Sequence, residues 1–354
     1  MFKNILVIST TGIGDTLWGT PAIRALKETY PQIRISVLTS KVGAELLRGN
    51  QYISETLVFS KKLPRILSLA MQLRKGFFDT VLIFHASDRI IWPLARLTGA
   101  CRVIGGDWHM KDKEMSFLLT KTVALPSEKI HAIDARLLLI KELGADTSDK
   151  KMDLYLTEEE NRWAKTYLTK KGIDDKDFII GLNPGAAKPY KCWPKEGFAN
   201  LGKMLSETFN CRIVITGSKT ERLLANEIAR DIGAAIPTAG DLSIRESAAV
   251  IGQCHIFITN DTGPMHIAFA LNTPTIALFS ATNPAGTGPY HQNELCRVIS
   301  KPRTCTKCIT KKCIRPICME QIKVEEVFEA VKDLNPKRIG SNMEISENLR
   351  KLQA

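Results

Sequence analysis

The sequence predicts an α/β protein of two doubly wound, parallel-sheet domains in tandem. Three observations lead there. Short apolar runs alternate with amphipathic helical stretches from the first residues onward, and such alternation builds parallel sheets with covered faces. The alternation pauses at a polar stretch, Gly144–Lys151, and then restarts. The chain has 354 residues, which suits two domains of roughly 100–200 residues each.

In the first half, strands are expected at Lys3–Ser9, Arg34–Thr39, Glu55–Phe59, Thr80–Phe84 and Arg102–Ile104. Helical patterns fall between them at Ala22–Tyr30, Val42–Arg48, Leu63–Lys75 and Ile90–Leu97, and His131–Leu143 is a further amphipathic helix. In the second half the helix Glu158–Lys171 precedes a strand at Phe178–Asn183, a loop at Pro184–Pro194 and a helix at Lys195–Thr208. A strand at Arg212–Thr216 and a helix at Glu221–Ile232 follow, then strands at Ile256–Asn260 and Thr275–Leu278 flanking the helix Met265–Leu271. The expected division is 1–150, 151–335 and a polar tail, 336–354. Ligands of such domains bind at the carboxyl ends of their strands.

Composition narrows the function classes. A hydrophobic fraction of 44% supports buried cores and argues against global disorder. No apolar run approaches the ~18–20 residues that cross a bilayer, and Met1–Val7 enters a strand-like run without a signal-peptide pattern. The expected location is therefore cytoplasmic. Lys plus Arg is 49 against 37 Asp plus Glu, a net charge of +12, which points to an anionic partner: nucleic acid, a phosphorylated metabolite or an anionic lipid surface. Nine cysteines, an odd number, fit a reducing compartment better than a disulfide framework.

Four blocks carry chemistry. The first strand ends in Thr10-Thr11-Gly12-Ile13-Gly14-Asp15. It is not a dinucleotide fingerprint: Leu17 stands where the third glycine belongs, and the second strand ends in Val37-Leu38-Thr39-Ser40 with no acid for a ribose. What remains is a glycine turn that delivers Asp15 to the mouth of the sheet, as a general base or as a cap on a helix N-terminus. The second block, Asn183 to Pro194, sets Lys188 and Lys191 among small residues after a strand. It suits a phosphate-bearing ligand, or it is a solvated loop with Trp193 packed beneath. The third, Asn260-Asp261-Thr262-Gly263-Pro264-Met265-His266, reads as a capped helix start, whose N–H groups attract phosphate. His266 adds a donor there or is structural. The fourth, Cys305-x2-Cys308-x4-Cys313-x4-Cys318, is a candidate site for Zn²⁺ or iron, a redox-sensitive cluster or plain thiols; the interleaved Lys307, Lys311, Lys312 and Arg315 favour thiolates. Apart from these, Lys61–Lys75 holds five basic residues and no acid. It reads as a sheet-covering helix with solvated basic ends, or as a basic amphipathic helix against anionic lipid.

Taken together the blocks resemble glycosyltransferase family 9, the ADP-heptose:lipopolysaccharide heptosyltransferases, over roughly residues 3–332. Gly14-Asp15-Thr16-Leu17 with Thr20-Pro21-Ala22, then Pro184-Gly185-Ala186 with Lys191-Cys192-Trp193-Pro194, then Asp261-Thr262-Gly263-x-x-His266-x-Ala268 stand in the family's order. Gly288-Pro289-Tyr290 and the cysteines ending in Cys318-Met319 follow. The resemblance implies the GT-B architecture: two facing Rossmann-like domains with an interdomain cleft, acceptor on the first and nucleotide-sugar donor on the second. It implies inverting transfer from ADP-L-glycero-D-manno-heptose to Kdo or heptose of the lipopolysaccharide inner core, with no essential metal. It makes Asp15 the general base and Lys191 the neutraliser of the donor diphosphate, and it assigns Gly14, Asp261, Thr262, Gly263, His266 and, on a weaker local match, Glu221 to the donor. It implies peripheral contact with the anionic inner face of the inner membrane; no nucleic-acid module is present. Competing readings are another nucleotide sugar, another acceptor such as O-antigen or a surface protein, and a metal- or nucleic-acid-binding protein built around the cysteines.

Overall fold

The structure, a computed structural model, describes residues 2–107, 113–124, 126, 130–280, 282–290, 294–304, 313 and 317–334. The chain forms two compact units. The first comprises Met1–Tyr155 with Ala285–Tyr290, the second Leu156–Pro284 with His291–Ala354.

The first unit runs β1 (Asn4–Ser9), α1 (Ile13–Leu17), α2 (Thr20–Thr29), β2 (Arg34–Thr39), α3 (Lys41–Leu47), β3 (Glu55–Val58), α4 (Leu63–Lys75), β4 (Thr80–His85), α5 (Ile91–Leu97), β5 (Arg102–Gly106), β6 (Lys121–Val123) and α6 (Ala132–Lys141). Its six strands are all parallel, in the order β3-β2-β1-β4-β5-β6. The apolar runs form strands because helices cover both faces: Ile5, Leu6, Val7 and Ile8 are all fully buried. Register puts Val7 beside Val37 on one side and Leu82 on the other.

Close approach at one glycine sets the position of α1. A Cβ on Gly43 of α3 would lie 2.1 Å from Thr39 Oγ1 and 2.9 Å from Thr16 Oγ1. Only a glycine lets α3 pack this tightly against β2 and α1. The polar stretch at which the alternation pauses is also tied down. Arg24 of α2, 6% exposed, pairs with Asp153 at 2.5 Å and donates to the Asp149 and Lys151 carbonyls at 3.0 Å.

The second unit runs α7 (Glu158–Lys170), β7 (Ile179–Asn183), α8 (Lys195–Phe209), β8 (Arg212–Ile215), α9 (Arg222–Ile232), β9 (Ile236–Pro237), α10 (Ile244–Gln253), β10 (Ile256–Asn260), α11 (Gly263–Ala270), β11 (Thr275–Phe279), α12 (Pro284–Thr287), β12 (Cys296–Ser300), α13 (Ile317–Glu320) and α14 (Val324–Asp333). It too is a six-stranded parallel sheet, β12-β11-β10-β7-β8-β9. Read from β9 it repeats the strand order of the first unit. Its core includes Phe198, Phe257 and Phe279, all fully buried.

After α12 begins, the chain returns to the first unit. His131, the N-cap of α6, accepts from the Ile133 N–H on Nδ1 and lies 3.0 Å from the Gly288 carbonyl on Nε2. Tyr290 stacks edge-on against His131 and bonds Lys150 Nζ at 2.5 Å. With Nδ1 accepting, Nε2 carries the proton, so the ring is neutral; burial lowers its pKa to match. Among the described residues, no helix is long and apolar enough to cross a membrane.

Candidate active site

Each sheet reverses its winding once, between β1 and β4 and between β7 and β10. At such a switch point the loops leaving two neighbouring strands part to opposite faces and open a crevice at the carboxyl ends. Most of the candidate residues lie on these loops or in the helices that directly follow them; Glu221 instead follows β8.

In the first unit, β1 ends at Ser9 and the chain turns into α1, with Gly12 as N-cap and Asp15 in the first turn beside Gly14. That position favours a carboxylate electrostatically, but the Asp15 side chain does more than cap. Arg136 Nη2, on α6, donates to Asp15 Oδ1 at 3.0 Å. His85 Nε2, at the end of β4, lies 3.7 Å from the same oxygen. The Arg136 side chain is 4% exposed, donates from Nη1 to the Ala132 carbonyl at 2.9 Å, and stands 5.4 Å from the Trp18 ring centroid.

A buried guanidinium demands a compensating carboxylate. Burial draws Arg136 below the ordinary arginine range, and Asp15 opposes that. Burial also lowers His85, against the attraction of Asp15, so its imidazole is neutral near pH 7. Its Nδ1 lies 2.8 Å from Thr11 Oγ1. The Asp15 side chain keeps 21% exposure. A carboxylate gripped through one oxygen and open to solvent can take a proton from an incoming hydroxyl. Sequence reasoning missed both partners, although each left a signal. Arg136 is the one basic residue between Ala132 and Ile140, and His85 closes the apolar run Val81–Phe84.

In the second unit, two asparagines pin the loop after β7. Asn260, fully buried, accepts from the Trp193 N–H at 3.0 Å and donates to the Pro184 carbonyl at 2.8 Å. Asn183 donates to the Gly185 carbonyl at 3.1 Å. Trp193 is packed beneath, its indole N–H on the Ile322 carbonyl at 3.0 Å. The loop is thus a fixed feature with a buried anchor, not a merely solvated connection.

Lys191 Nζ lies 2.5 Å from Asp261 Oδ2, with side-chain exposures of 22% and 6%. The Thr282 hydroxyl donates to the same oxygen. Thr262 is the N-cap of α11 and Gly263 its first residue, with Pro264 next, so free N–H groups and the positive helix end stand directly after Asp261. His266 is buried in α11, its ring edge-on to Phe269.

Glu221 lies against the same loop. A Cβ on Gly185 would come within 1.9 Å of Glu221 Oε1. Glu221 Oε2 accepts from the Ser218 N–H at 2.6 Å and hydroxyl at 2.7 Å. Burial, assisted by the Glu221 charge, holds the Cys192 thiol above its ordinary range. The structure therefore gathers Lys191, Asp261, Thr262 and Gly263 at one switch point, with Glu221 across the loop. Gly14 stands with Asp15 in the first unit.

Of the cysteine cluster, Cys305 and Cys308 lie outside the described residues. Cys318 is 4% exposed and accepts from the Thr304 N–H at 3.2 Å. Burial acts to raise its thiol, but hydrogen bonds, those from Thr304 foremost and with Ser280 adding to them, outweigh it and hold the thiol below its ordinary range. Among the described residues, no three His, Cys, Asp or Glu are grouped to hold a metal ion.

Comparison with known proteins adds a family to this geometry. Residues 66–318 match the family model described as glycosyltransferase family 9 (heptosyltransferase). The chain is 27% identical over 292 residues to lipopolysaccharide heptosyltransferase 3 of Escherichia coli, covering 79% of this chain and 84% of that one. Among solved structures it is similar to a family 9 glycosyl transferase from Veillonella parvula, with a TM-score of 0.81, 26% identity, and 94% and 97% of the two chains covered. It also shares its fold with the E. coli heptosyltransferase WaaC solved with ADP, at a TM-score of 0.73, 18% identity, and 94% and 99% coverage.

Proposed function

Because this chain belongs to glycosyltransferase family 9, the heptosyltransferases, we propose that it moves a heptose from ADP-L-glycero-D-manno-heptose to Kdo or heptose of the lipopolysaccharide inner core, inverting the anomeric centre. The acceptor binds the first unit and the nucleotide sugar the second. The relative from E. coli is a lipopolysaccharide heptosyltransferase, and a neighbour of the same fold was solved with ADP; both support the reading.

The reaction is a single displacement. An acceptor hydroxyl oxygen attacks the anomeric carbon, the bond to ADP breaks, and the hydroxyl proton passes to Asp15. The observation that carries this role is the hold of buried Arg136 on one oxygen of an otherwise open carboxylate. Such a positioned base contributes ~10²–10⁴-fold. Charge developing on the departing diphosphate is met by Lys191 and by the N–H groups at Thr262 and Gly263; a fixed donor aimed at such charge is worth about 3–4 kcal/mol. Asp261, which also accepts from the Thr282 hydroxyl, holds Lys191 in place and so serves the donor through that lysine. His266 supports the helix start, Glu221 stands toward the ribose, and Gly14 shapes the turn before the base. No step calls for a metal. The enzyme acts at the cytoplasmic face of the inner membrane as a peripheral protein, where anionic acceptor and basic surface meet.

ADP release tests this directly. With ADP-L-glycero-D-manno-heptose and Kdo-lipid A in EDTA, wild type releases ADP only when acceptor is present, and Asp15→Asn lowers the rate by ~10²–10⁴-fold. If wild type releases none with Kdo-lipid A or heptosylated acceptors, the donor or acceptor is a different sugar. Unchanged release by Asp15→Asn rules out the base.

A further inference from the structure

The helix α4 has two apolar faces. Its inner face, Ile66, Leu69, Ala70 and Leu73, packs on the core of the first unit, as expected of a sheet-covering helix. Next to it runs a second stripe at i, i+4 and i+8: Leu63, Leu67 and Met71, exposed by 68%, 58% and 61%. Phe77, just beyond the helix end, is 85% exposed. Its φ of 48° lies in the left-handed region, which a phenylalanine rarely adopts, while the next residue, Phe78, is buried in the core. Neighbouring α5, which packs beside α4, adds Leu97 at 56%.

Charge identifies what covers this stripe. Between Glu55 and Asp79 the chain holds Lys61, Lys62, Arg65, Arg74 and Lys75 and no carboxylate. Lys61 pairs with Asp88 at 2.8 Å and Arg74 reaches the Thr98 carbonyl at 3.4 Å; Lys62, Arg65 and Lys75 are exposed. Among the described residues, eight of the eleven exposed large hydrophobics belong to the first unit: Val42, Val58, Leu63, Leu67, Met71, Phe77, Leu97 and Phe117. A protein partner meeting so basic a rim would itself need a matching acidic face. A bilayer with anionic headgroups satisfies both parts at once, because its acyl boundary takes the apolar stripe and its phosphates take the flanking cations.

We propose that α4 is the surface by which the protein lies on an anionic bilayer. Leu63, Leu67, Met71 and Phe77 enter the headgroup–acyl boundary, and Lys62, Arg65 and Lys75 meet lipid phosphates. This deepens the membrane location proposed above and rests on it. The surface it assigns belongs to the unit that carries Asp15.

The test is co-sedimentation of the full chain with vesicles of phosphatidylcholine alone and of phosphatidylcholine mixed with phosphatidylglycerol. Wild type sediments with the mixed vesicles, and salt weakens it. The stripe variant Leu67→Ser/Met71→Ser/Phe77→Asn binds at least roughly tenfold more weakly; asparagine suits the left-handed φ at 77, so the fold is kept. The charge variant Lys62→Gln/Arg65→Gln/Lys75→Gln also weakens binding and flattens the salt dependence. ADP release with a deacylated, water-soluble acceptor reads the transferase reaction separately, and both variants retain it. Equal binding to the two vesicle types, no binding by wild type, or wild-type binding by the stripe variant overturns the proposal. Self-association through the stripe without vesicle binding overturns it as well.

Discussion

Arg136 is a charged side chain with 4% exposure, set in α6 between Ala135 and the apolar run Leu137–Ile140. Nothing in local propensity explains it, and its partner lies 121 residues away. Removing an arginine from such a pair leaves Asp15 without its orienting contact, and a misplacement of about 1 Å at a reacting group costs on the order of a hundredfold in rate. For Arg136→Gln the expected result is therefore a fall of about a hundredfold in kcat, with KM for the acceptor changed much less. Steady-state ADP release separates the two. A fall confined to KM would make Arg136 an acceptor-binding group instead. At this scale the candidate residues Asp15, Lys191 and Asp261 were legible, because glycine turns and strand ends mark them in the sequence. Arg136, His85 and Thr282 were not, because what matters about them is which carboxylate they meet.

The helices and strands follow from short-range chemistry, and the elements that escaped notice are instructive. The edge strands β6 and β9 span three and two residues, too short to show an apolar pattern. Helix α10 did leave a signal, since Ser243 and Glu246 form a capping box at its start. Helix α1 has only five residues, and its place is set by α3 across Gly43. For Gly43→Ala the added Cβ meets the Thr39 and Thr16 hydroxyls, and overpacking of this kind costs about 1–3 kcal/mol. The variant should melt lower and also lose kcat, because α1 carries Asp15. A lower melting temperature with an unchanged kcat would show that α1 is placed independently of α3.

On the scale of the whole molecule, stability should depend on pH through buried and partly buried histidines. Burial lowers His85, His131 and His255 from their ordinary 6.5. The folded protein thus binds these protons less readily than the unfolded chain does. Their stabilising contribution is full above about pH 6.5 and shrinks as pH falls toward the folded-state values. Melting temperature should drop from pH 7 to pH 5. For His131→Asn, which keeps an N-cap acceptor and removes one titrating group, the slope should be shallower; an identical slope would remove His131 from the account. The sequence alone determined the alternation of strand and helix, its restart after a polar break, and the turns that carry the candidate residues. Periodicity, capping and glycine turns act over a few residues, so they can be read in order along the chain. Only the tertiary structure decided that β1 neighbours β4 and β7 neighbours β10, that Arg136 meets Asp15, that Lys191 meets Asp261 across 70 residues, and that Ala285–Tyr290 returns to the first unit. These contacts depend on sheet order and on the compensation of buried charge, which are properties of the packed chain as a whole.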